Sequence, residues 1–173
     1  KKNSLQGDTA LVEIYKSFGV ETVFNSDNSI IITKVNTHYL LPINFNLNDS
    51  PDIAQTIAVT CFGLGIGCHL TGLHTLKIKE TDRLEALKTE LSKFGAIISV
   101  TNDSLTLEAS SHLLWREIGG EVSIATYQDH RMAMAFAPLA LKVPIIIENA
   151  EVVAKSYPAF WEDLKSVGFQ ILQ

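Results

Sequence analysis

The chain has 173 residues, 46% of them apolar and 19% charged, which allows one sizeable core and excludes a disordered segment. Its net charge of −5 excludes a general nucleic-acid surface, which is basic, but leaves room for a local cationic cluster around a small anion. No apolar run approaches the roughly 20 residues of a membrane span and no secretory leader opens the chain, so the expectation is a cytoplasmic protein.

The chain begins at Lys1 without methionine and enters a helical pattern almost at once, which predicts trimming at the N-terminus. Gln6-Gly7-Asp8 opens the first helix, with Asp8 or Thr9 as cap. Leu11, Ile14, Tyr15 and Phe18 form its stripe, and Gly19 ends it. A hairpin follows over 21–25 and 30–34, turning at Ser26-Asp27-Asn28. A strand over 39–45 leads to Ser50-Pro51-Asp52, an N-cap with proline at the first helical position. The helix over 52–63 is apolar on nearly every side and so belongs inside. Gly63, Gly65 and Gly67 mark its end and the loop beyond. They follow a helix, so they do not form a dinucleotide fingerprint. If Cys61 and Cys68 share that helix, about 10 Å of rise separates them, too far for a disulfide. Two buried thiols suit a reducing compartment, and neither lies in a metal-ligand pattern.

Leu76-Lys77-Ile78-Lys79-Glu80-Thr81-Asp82-Arg83-Leu84 reads as a short strand that turns abruptly into a helix. That helix presents Leu84, Leu87, Leu91 and Phe94 on one face and ends at Gly95. A hairpin over 96–100 and 105–108 turns at Asn102-Asp103. Beyond it come a strand over 122–125, a capping box at Thr126-Tyr127-Gln128-Asp129 and an apolar helix over 129–141. A strand over 144–148 precedes the last helix, capped by Ser156 or Tyr157, with Pro158 in its first turn. Phe160, Leu164 and Val167 form its inner face and Gly168 its end. Gly19, Gly95 and Gly168, the pair Asp52 and Asp129, and the pair Lys79 and Lys155 all recur about 75 residues apart. This period predicts repeats over about 1–35, 36–109 and 110–173 within a single domain 1–173. Each would run strand, buried helix, strand, amphipathic helix, hairpin, with the third lacking its hairpin.

Chemistry concentrates where strands give way to helices. Lys79 and Arg83 are cations at a helix start, where the dipole disfavours them unless an anion offsets the cost. Glu80 between them can move a proton. His130 and Arg131 stand in the first turn of an otherwise apolar helix, and arginine clamps a carboxylate or phosphate through two parallel hydrogen bonds. Lys155 gains weight as the counterpart of Lys79. Each stretch has a plainer reading as a solvated, mixed-charge helix start, and Asp52 alone reads as a carboxylate that favours the helix dipole. Cys61, Cys68, Met132 and Met134 read as core. His38, His69, His74 and His112 are scattered and carry no assignment.

Lys79-Glu80-Thr81-Asp82-Arg83 and Tyr127 with Asp129-His130-Arg131-Met132-Ala133-Met134 resemble two motifs of the 5-enolpyruvylshikimate-3-phosphate synthase family of enolpyruvyl transferases. Gln6-Gly7-Asp8, Pro51-Asp52 and Ala154-Lys155-Ser156-Tyr157-Pro158 match in order and spacing, so the resemblance covers essentially the whole chain. It implies an α/β (α+β) fold: one of two domains, each an inside-out α/β barrel built from βαβαββ units, with the active site between them. It implies transfer of the enolpyruvyl group of phosphoenolpyruvate to the 5-hydroxyl of shikimate 3-phosphate, a step toward aromatic amino acids, with no metal or organic cofactor. Asp52 and Lys79 would bind shikimate 3-phosphate. Lys79, Arg83, Arg131, Lys155 and His130 would bind phosphoenolpyruvate. Asp52, Glu80 and Lys79 would be catalytic, and Asp129 would orient its neighbours. Thr75 stands where the family often has an asparagine that contacts shikimate 3-phosphate. The other domain, on the N-terminal side, would supply the rest of the cleft, and its first segment would cross back to complete the third repeat. On this reading the chain alone is inactive. A transferase acting on a UDP-sugar and a domain that only binds phosphate or phosphoenolpyruvate are the competing readings, and the intact second motif argues against the first.

Overall fold

A computed structural model describes residues 7–35, 42–109 and 119–172. Gln6, His38, His112 and the start of the strand expected at 39–45 lie outside them. The opening helix begins as a 3-10 turn, Gly7–Ala10, and continues as α1, Leu11–Lys16, whose own cap position is Ala10. Ile14 and Phe18 are buried, and Gly19 ends the segment at φ 70°. β1 (Val20–Phe24) and β2 (Ile30–Lys34) form the expected antiparallel hairpin.

β3 (Ile43–Asn46) and β4 (Cys68–Thr71) are parallel neighbours, joined by the crossover helix α2 (Ala54–Leu64). Parallel strands need such a crossover, and its burial against the sheet explains why α2 is apolar nearly all round. Ser50 occupies the cap position with Pro51 at the first position of the 3-10 turn Pro51–Ile53, but its side chain makes no cap bond. The short strand expected at the start of the stretch from Leu76 to Leu84 is not there. The strand is β4, eight residues earlier, and residues His74–Ile78 form a 3-10 turn. Gly72, at φ +76°, breaks the chain between them, and Leu76 then points into the core with no exposure. Cys68 thus opens a strand rather than ending a helix. Its thiol and burial both push the Cys61 thiol up, and the two cysteines are free.

α3, Arg83–Ser92, buries Leu84, Leu87 and Leu91, each worth about 1.5–3 kcal/mol of transfer free energy. β5 (Ile98–Val100) and β6 (Ser104–Leu107) form the hairpin that closes the sheet in the order β3-β4-β6-β5. β7 (Val122–Ile124) and β8 (Ile145–Ile147) are again parallel and joined through α4, His130–Phe136, which tightens at Pro138 into the 3-10 turn Ala137–Leu141. The cap of α4 is Asp129, not Thr126. Phe94 bridges the helices, its ring 5.9 Å from Phe62 of α2 and 6.4 Å from Phe136 of α4. α5, Phe160–Ser166, follows the 3-10 turn Ala150–Lys155, and neither Ser156 nor Tyr157 caps it. Phe160 and Leu164 pack partly inward, but Val167 is 72% exposed and is not part of an inner face. No helix among the described residues is long and apolar enough to cross a membrane.

Candidate active site

In both parallel pairs the chain leaves a strand at its carboxyl end and enters a helix, and such connections are where open α/β sheets carry their ligands. Four connections matter. The one after β3 carries Asp52, and the one after β4 carries Lys79, Glu80 and Arg83. The one after β7 carries Asp129, His130 and Arg131, and the one after β8 ends on Lys155.

Arg83 is the centre of the arrangement. It opens α3 yet is only 2% exposed, and three carboxylates from three connections surround it. Its Nε donates to Asp129 Oδ2 at 2.6 Å and its Nη2 to Asp129 Oδ1 at 3.3 Å, a two-pronged pairing with a fully buried carboxylate. Nη1 donates to Asp52 Oδ1 at 2.8 Å and Nη2 to Glu80 Oε2 at 2.7 Å. The anions that offset a cation at this helix start are therefore supplied by the protein. Lys79 Nζ lies 3.2 Å from Asp52 Oδ1. Asp129 also accepts the Arg131 backbone N–H at 2.8 Å and Gln55 Nε2 at 3.3 Å, so it orients its neighbours.

The other expected cations are less tightly bound. Arg131 Nη1 reaches Asp8 Oδ1 at 3.3 Å, and Lys155 Nζ donates to the Gln128 carbonyl at 2.8 Å. His130 lies beside Asp129, its buried Nδ1 3.9 Å from Oδ1 and without a hydrogen-bond partner. Asp52, Lys79, Glu80 and Arg83 form one ion-paired group, and Asp129 ties it to the segment bearing His130 and Arg131. Lys155 joins through Gln128 rather than through the group itself. Thr75 Oγ1 is buried without a partner.

The electrostatics follow from these contacts. Burial works against ionisation of Asp52, but the Lys79 hydrogen bond and the charges of Lys79, Arg83 and Arg131 prevail and hold its carboxyl below the ordinary value. The Glu80 carboxyl is also held low, first by its own backbone N–H and then, against burial, by Arg83, His130 and Lys79. Glu80, Asp129 and His130 bring ligand atoms within 4.8 Å of one another. Arg83 already occupies the two carboxylates of that trio, so a metal ion would have to displace a guanidinium.

The backbone before Asp129 is strained. Tyr127 and Gln128 take φ of +54° and +59°, a conformation that costs about 1–2 kcal/mol per non-glycine residue. Lys155 holds this turn at the Gln128 carbonyl. The Tyr127 hydroxyl donates to Glu90 Oε1 at 2.7 Å, and its pKa is pushed up to about 12 by burial and by that carboxylate. Glu90 is fully buried. It also accepts from Lys93 Nζ at 2.6 Å and the Ala125 N–H at 3.1 Å. Glu90 and Gln55 escaped the sequence analysis, which named Tyr127 and Asp8 only as parts of motifs and caps and gave them no role in the site. Glu90 alone left a signal: it lies two turns from Arg83 and directly before Leu91, on the face that is otherwise apolar.

A solved EPSP synthase from Acinetobacter baumannii aligns with a TM-score of 0.71 at 24% identity, covering 92% of this chain and 39% of that one. The chain thus has the fold of part of that synthase, an α/β structure of mixed parallel and antiparallel sheets. The sequence model for EPSP synthase (3-phosphoshikimate 1-carboxyvinyltransferase) matches residues 1–164, and the chain belongs to that family. It is 43% identical over 175 residues to the 3-phosphoshikimate 1-carboxyvinyltransferase of Bacteroides fragilis, and 37% identical over 171 residues to that of Clostridium kluyveri. Each alignment covers 98% of this chain but only 40% and 38% of the relative, so the chain spans about two fifths of their length.

Proposed function

We propose that this chain forms the phosphoenolpyruvate-contacting side of an active site that moves an enolpyruvyl group onto the 5-hydroxyl of shikimate 3-phosphate. The observation that carries the reading is the meeting of Asp52, Lys79, Glu80 and Arg83 with Asp129, whose neighbours are His130 and Arg131, in a chain of this family. The bound anion draws Arg83 away from Glu80, which then takes up a proton. Asp52 accepts the proton of the attacking hydroxyl, the hydroxyl oxygen bonds to C2 of phosphoenolpyruvate, and Glu80 delivers its proton to C3. The C2–O bond to phosphate then breaks as C3 returns a proton to Glu80 and Asp52 gives its proton to the departing phosphate, leaving the enol ether, free phosphate and both carboxyl groups as they began. One acid and one base suffice for these steps. Lys79 bridges the two substrates. Arg83, Arg131 and Lys155, with His130 beside them, hold the carboxylate and phosphate of a doubly anionic intermediate. Arg83 meets its ligand by giving up Asp52 or Glu80, since its Nε edge is committed to Asp129. Closure on a second domain brings the substrates together and excludes water.

The N-terminal part of the same polypeptide is the partner, and the cytoplasm the compartment. The two long units, about 36–109 and 110–173, are repeats, with about 1–35 the tail of a third. β7 and β8 correspond to β3 and β4, and beside them lies a cavity of about 1010 Å³ lined by Leu141, Ile145, Ile146, Trp161 and Leu172. A segment of the N-terminal part fills the place that the β5–β6 hairpin holds in the middle unit. The test is reconstitution. The isolated chain gives no turnover, and adding a separately produced N-terminal part restores phosphate release that requires both substrates and is lost in Glu80→Gln. A mixture of two folded parts that neither binds a substrate nor forms product overturns the reading.

A further inference from the structure

We infer that Glu90 is a positioning residue for the phosphoenolpyruvate clamp, acting through Tyr127 on the turn that carries His130 and Arg131. The inference rests on the function proposed above. α3 grips the segment from Ala125 to Asp129 at two points on one face. At its start Arg83 holds the Asp129 carboxylate at 2.6 Å. Two turns later Glu90 holds the Ala125 N–H at 3.1 Å and the Tyr127 hydroxyl at 2.7 Å. Between these points lie the two residues of positive φ, Tyr127 and Gln128. A strained backbone persists only where its surroundings over-determine it, and such strain gathers at functional sites.

Glu90 is built for this task rather than for solubility. It has no exposure, and both oxygens are engaged, with Lys93 as counter-ion through a 2.6 Å contact. Lys93 also donates to the Ser123 carbonyl at 2.9 Å, which extends the grip to β7. Releasing the Tyr127 hydroxyl lets the turn relax, and Arg131 moves because its N–H hangs on Asp129 at the end of that turn. Asp52 and Lys79 sit on other connections and stay where they are. The effect must therefore fall on one substrate.

The decisive variant is Tyr127→Phe in the full-length protein, since it removes one hydroxyl and leaves the bonds of Glu90 to Lys93 and Ala125 in place. KM for phosphoenolpyruvate rises about tenfold, while KM for shikimate 3-phosphate stays within twofold. Glu90→Gln puts an amide N–H against the Ala125 N–H or the Tyr127 hydroxyl and shifts the same KM in the same direction. The double variant is no worse than the more severe single one, because both act through one bond. Lys88→Ala, on the exposed side of α3, changes neither KM. A merely structural role lowers kcat through the folded fraction and moves neither KM, and that result for Tyr127→Phe overturns the inference, as does an equal rise in both. Full-length wild-type protein without enolpyruvyl transfer removes the proposed function and this inference together. Active wild type with an unchanged Tyr127→Phe removes the inference alone.

Discussion

At the scale of single residues, Arg83 and Asp129 decide the most. Both are buried, and removing one partner of such a pair strands the other charge in a poor dielectric, which costs about 3–5 kcal/mol. Arg83→Ala is therefore expected to lower the unfolding free energy by that amount, measured in urea. Adding Asp129→Ala should recover part of the loss, since the stranded carboxylate goes with it. Acid titrates the neighbours. The Asp52 and Glu80 carboxyls are held below their ordinary values of 3.8 and 4.5, so between those values and the folded ones the unfolded chain binds more protons. Their contribution is complete above about pH 4.5 and is lost as the pH falls through the folded values. The urea midpoint of the wild type should drop in that window, and that of an Asp52→Asn, Glu80→Gln double variant should drop less. The motifs at 79–83 and 129–134 were legible because cations at helix starts conflict with local preference. Glu90 left only its place beside Leu91 as a signal, because one acid in a helix of alternating charge reads as solvated until the opposite strand is known to lie over it.

At the scale of elements, glycine placed the strand that the sequence misplaced. The triplet at Gly63, Gly65 and Gly67 looked like a loop that continued to Leu76. In fact Gly65 ends α2 in the left-handed conformation, and β4 begins three residues later. Strand β4 has only four residues and alternates only in burial, Cys68 and Leu70 inward, His69 and Thr71 half-covered. Its pattern is too short to outweigh the apolar pair Leu76 and Ile78. The break after it is tight. A Cβ on Gly72 would meet the Asn48 backbone nitrogen at 2.5 Å, at a φ of +76° that favours glycine. Gly72→Ala should therefore separate β3 from the turn into α3 and lower the thermal midpoint by more than any exposed alanine substitution on α3. A circular dichroism melt equal to that of Lys88→Ala would show the packing to be looser than described. The length and apolar face of α3 were legible from Leu84, Leu87 and Leu91, since helical periodicity over three turns is hard to mimic.

At the scale of the whole molecule, exposed apolar side chains gather at two sites among the described residues. Ile30, Ile31 and Ile32 are 48%, 51% and 71% exposed on β2, and the cavity beside β8 is flanked by Leu141 and Leu172 at 74% and 93%. Burying surface of this kind drives association. The isolated chain should bind an apolar dye, and a separately produced N-terminal part should suppress the signal. The α/β class was legible from the order of the elements, whereas the open surface was not, because a sequence does not show which apolar faces lack a cover. The carboxylates around Arg83 have one more consequence. Arg83 and Lys79 face Asp52, Glu80 and Asp129, so the cluster carries one net negative charge at rest. An anion that takes a place on Arg83 must push a carboxylate off it, and a carboxylate parted from its cation holds a proton more tightly. The heat of binding will then vary with the ionisation enthalpy of the buffer, since the buffer supplies the proton. In that exchange the domain acts as a weak base whose proton uptake its ligand drives.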